Sequence, residues 1–278
     1  MLTLIKAGIF TTIQDNGRWN GSHLGIPVSG AMDMRSAEMA NLLLGNEPCD
    51  ALLECTYSGP KIQFHLPTSI SIVGANTQSF LNGAIIDNSR VVKINSGDIL
   101  NFGRFEKGCR LYIAVKGGIL SEKFFGSRSA CTTSGILKVL RNNDQLEYRQ
   151  AEANINASVA MKRVLGNYTL QVDKGPEFDL LPHKMKVQLF NSSFQILPSS
   201  NRMAYRVRHD LKLNHSHSIL SSGTIPGTVQ WTPSGNLIFL MRDAQTTGGY
   251  PRILQLSEES INDLSQLSPN ESFTLHML

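Results

Sequence analysis

The chain has 278 residues, 41% of them hydrophobic and 17% charged, with a formal net charge of +4. That content supports real cores and excludes a disordered chain, and the length favours two domains of ordinary size over one. Lysines and arginines are scattered rather than clustered, which argues against nucleic-acid binding, and no apolar run approaches a membrane span.

The first strand runs into Gln14-Asp15-Asn16-Gly17-Arg18. An amide, a carboxylate and a guanidinium so close together can grip a planar polar ligand, or Asp15 and Arg18 can simply pair across a turn. Residues 25–33 form a Gly/Pro loop that ends on Asp33. Asp33 can N-cap a helix through Ala37, Ala40, Leu43 and Leu44 that Gly45 stops. A helix N-terminus there favours anions, although a cap alone also explains Asp33. Glu54 sits in a strand-like run that would bury it. It is therefore a candidate base, or one half of an ion pair with Arg18 or Arg128. Strands are expected over residues 61–65, 69–73, 91–94, 99–102 and 111–115, with tight turns at Asn82-Gly83 and Gly97-Asp98.

Residues 150–158 are small, polar and aperiodic, and the boundary between domains 1–155 and 156–278 is placed there. Beyond it, Asn201, Arg202, Tyr205 and Arg206 suit a carboxylate or phosphate ligand, or the arginines lie solvated on a strand. Gln230 sits beside Trp231 in a strand. The apolar run 237–241 then leads into Asp243 and Thr246-Thr247-Gly248-Gly249-Tyr250. Paired glycines let backbone N–H groups approach a ligand, and threonine hydroxyls both donate and accept. A glycine-rich turn whose loose ends Asp243 satisfies is the plain alternative. Ser257 can N-cap a last helix with Ile261, Leu264 and Leu267 on one face.

Other signals fail. His215 and His217 share a face of an extended segment without a third ligand, so no metal site is expected. Walker A, GxGxxG and GxSxG motifs are absent. Ala160-Met161-Lys162 matches the tripeptide around a biotinylated lysine, but Arg163 follows where that motif has Met. Cys49, Cys55, Cys109 and Cys131 show no CxxC spacing, and residues 1–6 lack a signal peptide's apolar run. Both suit a soluble protein in a reducing cytoplasm.

Taken in order, these segments resemble the family known as biotin-dependent carboxyltransferase subunit, as allophanate hydrolase subunit 2, or as the C subunit of 5-oxoprolinase. The likeness runs through residues 12–18, 25–33, 40–46, Leu53-Glu54, Ser58-Gly59-Pro60, 108–118 and 126–129. It continues through 175–179, 200–206, 222–223, 227–230 and 246–251, so it covers essentially the whole chain. Ala204 departs from a usual Gly, and Ala244 from a frequent Arg. The resemblance implies an all-β protein of two cyclophilin-like β-barrel domains with few short helices. It implies a partner, the B subunit, of the allophanate hydrolase subunit 1-like family, ATP in the assembled complex, and a small amide or lactam substrate. Carboxyl transfer with biotin, and a non-catalytic regulatory role towards a kinase-inhibitor-like partner, are the alternatives. Under the first reading Asp15, Glu54 or Asp243 supplies the base. Gln14, Arg18, Asp33, Asn201, Arg202, Tyr205, Arg206, Gln230, Thr246, Thr247, Gly248, Gly249 and Tyr250 bind the substrate.

Overall fold

A computed structural model describes residues 1–149 and 168–278. The boundary read at residues 150–158 and the tripeptide ending at Lys162 lie outside the described residues. The chain divides into two compact units: residues 1–18 with 29–149, and residues 19–28 with 168–278. The second unit thus takes in an excursion, 19–28, that a single cut near residue 155 does not contain.

The strands of the first unit are β1 (Leu2–Lys6), β2 (Phe10–Gln14), β3 (Leu52–Thr56), β4 (Lys61–Phe64), β5 (Thr68–Asn76), β6 (Ser79–Leu81), β7 (Ala84–Ile86), β8 (Val92–Ile94), β9 (Ile99–Phe102), β10 (Lys107–Val115), β11 (Ile119–Leu120) and β12 (Gln145–Tyr148). One sheet has the order β11-β12-β1-β4-β9-β6-β7, the other β2-β3-β10-β5-β8. Side chains alternate along a strand, so each sheet has two faces. Leu111, Ile113 and Val115 of β10 turn into one core with Leu2, Leu4, Ile62 and Phe64 of the opposite sheet. Tyr112 and Ala114 turn the other way, under helix α1 (Met34–Leu43). The Asp33 carboxylate accepts from the Ser36 N–H at the start of α1, as its cap position requires. Gly45, with φ 64°, follows its end. Ala37, Ala40, Leu43 and Leu44 form the face that α1 buries. Asn82 (φ 52°) and Gly83 (φ 85°) make the tight turn between β6 and β7 that the Asn-Gly pair implies.

The second unit contains β13 (Tyr168–Lys174), β14 (Ser193–Ile196), β15 (Ala204–Arg208), β16 (Ser222–Gly223), β17 (Thr228–Trp231), β18 (Leu237–Leu240), β19 (Thr247–Gly248), β20 (Arg252–Leu256) and β21 (Ser272–Met277). Seven of them close a barrel in the order β13-β20-β17-β18-β15-β14-β21, with β13 and β21 parallel, while β16 and β19 pair separately. Phe194, Phe239 and Phe273 meet in its core, their ring centroids 5.3 to 6.3 Å apart. Among the described residues the fold is mainly β with three short α-helices, as expected from the sequence. Helix α3 (Glu258–Ser265) starts on the Ser257 cap. Helix α2 (His183–Phe190) was not anticipated, because Leu189 is its only buried residue and so it carries almost no apolar stripe.

Candidate functional site

In the first unit, the loop after β2 is tied to residues 127–130. Asp15 Oδ1 accepts from Gly17 N at 2.8 Å and from the Ser127 and Ser129 hydroxyls at 2.6 Å each. Oδ2 accepts from Arg128 N alone, at 2.6 Å, so it keeps a lone pair for another partner. Buried Arg18 donates to the Ser129 carbonyl, and Gln14 Nε2 donates to Thr12 Oγ1 and the Ala130 carbonyl. Asp15 and Arg18 therefore both grip the 127–130 segment. Gln14 Oε1 is buried without a hydrogen bond among the described residues, as is Ser29 Oγ. Ser29 also holds φ 59°, a backbone conformation that side chains rarely adopt away from constrained sites.

Three consecutive N–H groups join this cluster to Glu54. Ala31 N donates to the Asp15 carbonyl (2.9 Å), Met32 N to Glu54 Oε2 (2.7 Å) and Asp33 N to Tyr112 Oη (2.8 Å). Tyr112 in turn donates to Glu54 Oε2 at 2.9 Å. Burial, reinforced by the Glu54 and Asp33 carboxylates, pushes the Tyr112 hydroxyl well above its ordinary pKa, so it stays protonated as a donor. Glu54 is 0% exposed, and Arg110 Nε lies 3.8 Å from its Oε1. Through Met32 N it anchors the loop that enters α1. Asp33 and its Ser36 partners form the helix cap. The first unit thus gathers Gln14, Asp15, Arg18, Asp33 and Glu54 into one connected network.

In the second unit, Arg202 and Asp243 neutralise each other. Nε donates to Oδ2 at 3.0 Å and Nη2 to Oδ1 at 2.9 Å, and Asp243 is 0% exposed. Both carboxylate oxygens of Asp243 thus accept from the Arg202 guanidinium. Tyr205 is buried and donates to the Ser265 carbonyl of α3, and Asn201 Oδ1 accepts from Met203 N and Ala204 N within its own turn. These two roles are structural as well. Gln230 Oε1 accepts from Gln245 Nε2, while Gln230 Nε2 is buried without a hydrogen bond among the described residues. A Cβ on Gly248 would fall 2.3 Å from that nitrogen, so any other residue there would push the Gln230 amide aside. Thr247 and Gly248 pair with Gly223 and Ser222, and the Thr246 carbonyl accepts from Thr224 N. Gly249 and Tyr250 are exposed beyond that ladder.

Sequence reasoning missed Glu177 and Arg252, which bond in two places across 2.8 and 3.0 Å; the Arg252 guanidinium holds the Glu177 carboxyl below its usual range. It missed Arg242 too, which binds Glu258 and Asn262 beside buried Ala244. Tyr112 stood in a run read only as strand. Its signal was a polar tip at an alternate position.

Two cavities collect the remaining candidates. One of about 210 Å³ in the first unit is lined by Asp15 and Asn16, by Lys123, Arg128 and Arg149, by Cys49 and Asp50, and by Gly117, Gly118 and Gly126 among others. The other, of about 540 Å³ in the second unit, is lined by Arg206, Tyr250, Ser199, Thr232, Ser234 and Asn236 among others. His215 and His217 stack near Trp231, with His215 Nε2 3.2 Å from the Trp231 carbonyl. No helix among the described residues is long and apolar enough to cross a membrane.

The family model of the carboxyltransferase domain, subdomain A and B, matches residues 24–277. The C subunit of 5-oxoprolinase from Escherichia coli (strain K12) is 33% identical over 272 residues, covering 96% of this chain and 88% of that protein. Its counterpart from Haemophilus influenzae, also a C subunit of 5-oxoprolinase, is 27% identical at the same coverage. Urea amidolyase of Lachancea kluyveri is 28% identical over 95% of this chain but only 16% of its own length. Among solved structures, TTHA0988 superposes with a TM-score of 0.90 at 26% identity, over 99% of this chain and 55% of that one. The K. lactis urea amidolyase gives 0.90 at 25% identity, over 100% and 18%. The chain therefore spans about half of the first solved structure and a small part of the second.

Proposed function

Because the chain belongs to the carboxyltransferase-domain family, we propose that it is the C subunit of an ATP-dependent 5-oxoprolinase acting in the cytoplasm. The observation that carries this is the likeness to the Escherichia coli C subunit along nearly the full length of both chains. A partner resembling the B subunit, together with ATP, completes the enzyme. In the reaction, the terminal phosphoryl group of ATP passes to the lactam oxygen and water adds at the ring carbonyl carbon. The C–N bond then opens, a proton goes to the nitrogen and an acyl phosphate remains, from which a second water releases phosphate, giving glutamate.

The small cavity of the first unit has the chemistry for this. Lys123, Arg128 and Arg149 offer cations to a carboxylate or phosphoryl group. Of the three carboxylates considered as base, Asp15 is the one that lines a described cavity, and its Oδ2 has a lone pair to take a proton from water. Arg206 and Tyr250, in their own cavity, are left as a second carboxylate-binding pair.

The test is ATP-dependent glutamate release from 5-oxoproline by the assembled complex. Asp15→Asn keeps acceptors for Gly17, Ser127 and Ser129 and loses only the bond from Arg128 N, so kcat should drop by about 10² or more, far beyond what a melting temperature lowered by one part-buried hydrogen bond accounts for. Arg128→Gln should act mainly on KM. Glutamate release that is undiminished in Asp15→Asn defeats the role of Asp15; a wild-type complex that releases none defeats the function. The urea amidolyase likeness favours one rival, carboxyl transfer from carboxybiotin, which predicts biotin-dependent and avidin-sensitive activity instead.

A further inference from the structure

A third cavity lies in the first unit, with a volume of about 570 Å³ and a lining of Lys6, Gly8, Ile9, Ser58, Gly59, Pro60, Lys61, Asn101, Phe102 and Asn142. It shares no residue with the Asp15 cavity. Its lining contains two cations and no acidic side chain.

The cations are placed by strand register. After a bulge in β1, Lys6 stands directly opposite Lys61 of β4. Like charges at facing positions of an antiparallel pair repel, and nothing among the described residues pairs with either lysine. A bound anion would turn that repulsion into a shared attraction.

The rest of the lining is biased towards donors. Asn142 Oδ1 already accepts from Ala7 N at 2.9 Å, which leaves its NH₂ group to offer. Ser58 Oγ accepts from Ile9 N at 2.8 Å, which leaves its hydroxyl proton free to donate. The side-chain amide of Asn101 has no hydrogen bond among the described residues. The floor is rigidly built. A Cβ on Gly8 (φ 77°) would lie 2.9 Å from the Ser58 carbonyl oxygen, and one on Gly59 would lie 2.3 Å from the Phe102 ring. Both turns therefore approach as closely as only glycine permits. Phe102, Pro60 and 70%-exposed Ile9 add an apolar side.

We propose that this cavity binds a phosphorylated small molecule, with Lys6 and Lys61 on the phosphate and Ser58 and Asn142 donating to its oxygens. Charge selects phosphate over a simple carboxylate. A phosphate monoester carries about −1.5 to −2 near pH 7 and balances both ammonium groups, whereas one carboxylate leaves a residual positive charge. Lysine on a flexible stem is a good point-charge partner for such a dianion. The apolar side suits the non-phosphate part of the ligand. This site is independent of the reaction assigned to the Asp15 cavity.

The full chain is titrated calorimetrically with inorganic pyrophosphate, ADP and acetate in low salt. Pyrophosphate or ADP should bind, acetate should not, and Lys6→Gln/Lys61→Gln should raise the phosphate Kd by at least tenfold. Lys6→Arg/Lys61→Arg should restore binding, and the tenfold difference should persist in an Arg128→Gln background, where the cations of the other cavity are reduced. Both lysines are at least partly exposed, and circular dichroism confirms that the variants remain folded. No binding of either phosphate probe at millimolar concentration, equal binding by the double glutamine variant, or acetate binding as tight as phosphate overturns the proposal.

Discussion

Replacing Asp243 by Ala separates a structural ion pair from a catalytic base. The mutation removes two charged hydrogen bonds, at 3.0 and 2.9 Å, from a guanidinium that is 5% exposed. Each such bond is worth about 1.5–3 kcal/mol, and breaking a buried pair on one side costs about 3–5 kcal/mol in total. At roughly 4 °C per kcal/mol, the barrel should melt about 12–20 °C earlier. Trp231 is buried in the second unit, and the only other tryptophan is exposed Trp19. In a Trp19→Phe background, urea unfolding followed by tryptophan fluorescence therefore reports the barrel. The double variant Arg202→Met/Asp243→Leu should recover most of the loss, because no buried charge is left unpaired. Asp243→Asn should also be destabilised, since its amide turns N–H groups towards the guanidinium. If Asp243→Asn instead loses kcat with an unchanged unfolding midpoint, Asp243 is a base and the structural reading is refuted.

Tyr112→Phe removes the donor to Glu54 and the acceptor of Asp33 N–H, both fully buried, and should lower stability by about 1–3 kcal/mol in a melt of the whole chain. The Glu177 carboxyl is held below its ordinary pKa, chiefly by hydrogen bonding from Arg252, so the unfolded state binds more protons as the medium acidifies. Its contribution should be full above the ordinary glutamate range and fade as pH falls through the depressed value; denaturation midpoints of wild type and Glu177→Gln should converge there. Cys49 is exposed, while Cys55, Cys109 and Cys131 are buried and burial pushes the Cys55 thiol up. A thiol reagent on the native protein should therefore label one equivalent quickly and three only on unfolding.

The architecture was legible where chemistry is local. Short apolar, β-branched runs flanked by turn residues marked β5, β9 and β10, Asn82-Gly83 marked a hairpin, and Asp33 and Ser257 marked helix starts. Helix α2 was not, because a single buried leucine writes no periodic signal. The site was legible in residue types and loops but not in which groups are already spent. Arg202 and Asp243 lie 41 positions apart, and each reads alone as a ligand-binding group until barrel closure sets one against the other. Glu54 gives the same lesson through register. Thr12, Glu54 and Tyr112 face one another across β2, β3 and β10, so the carboxylate meets a phenol on the next strand rather than a substrate. A shift of one residue in the β3–β10 pairing would turn Tyr112 to the opposite face and leave Glu54 buried with one donor fewer. The buried base suggested by composition becomes an anchor only through that pairing. Asp15 differs for the complementary reason: three donors crowd one of its oxygens, the other accepts from one backbone N–H, and the residue lines a cavity.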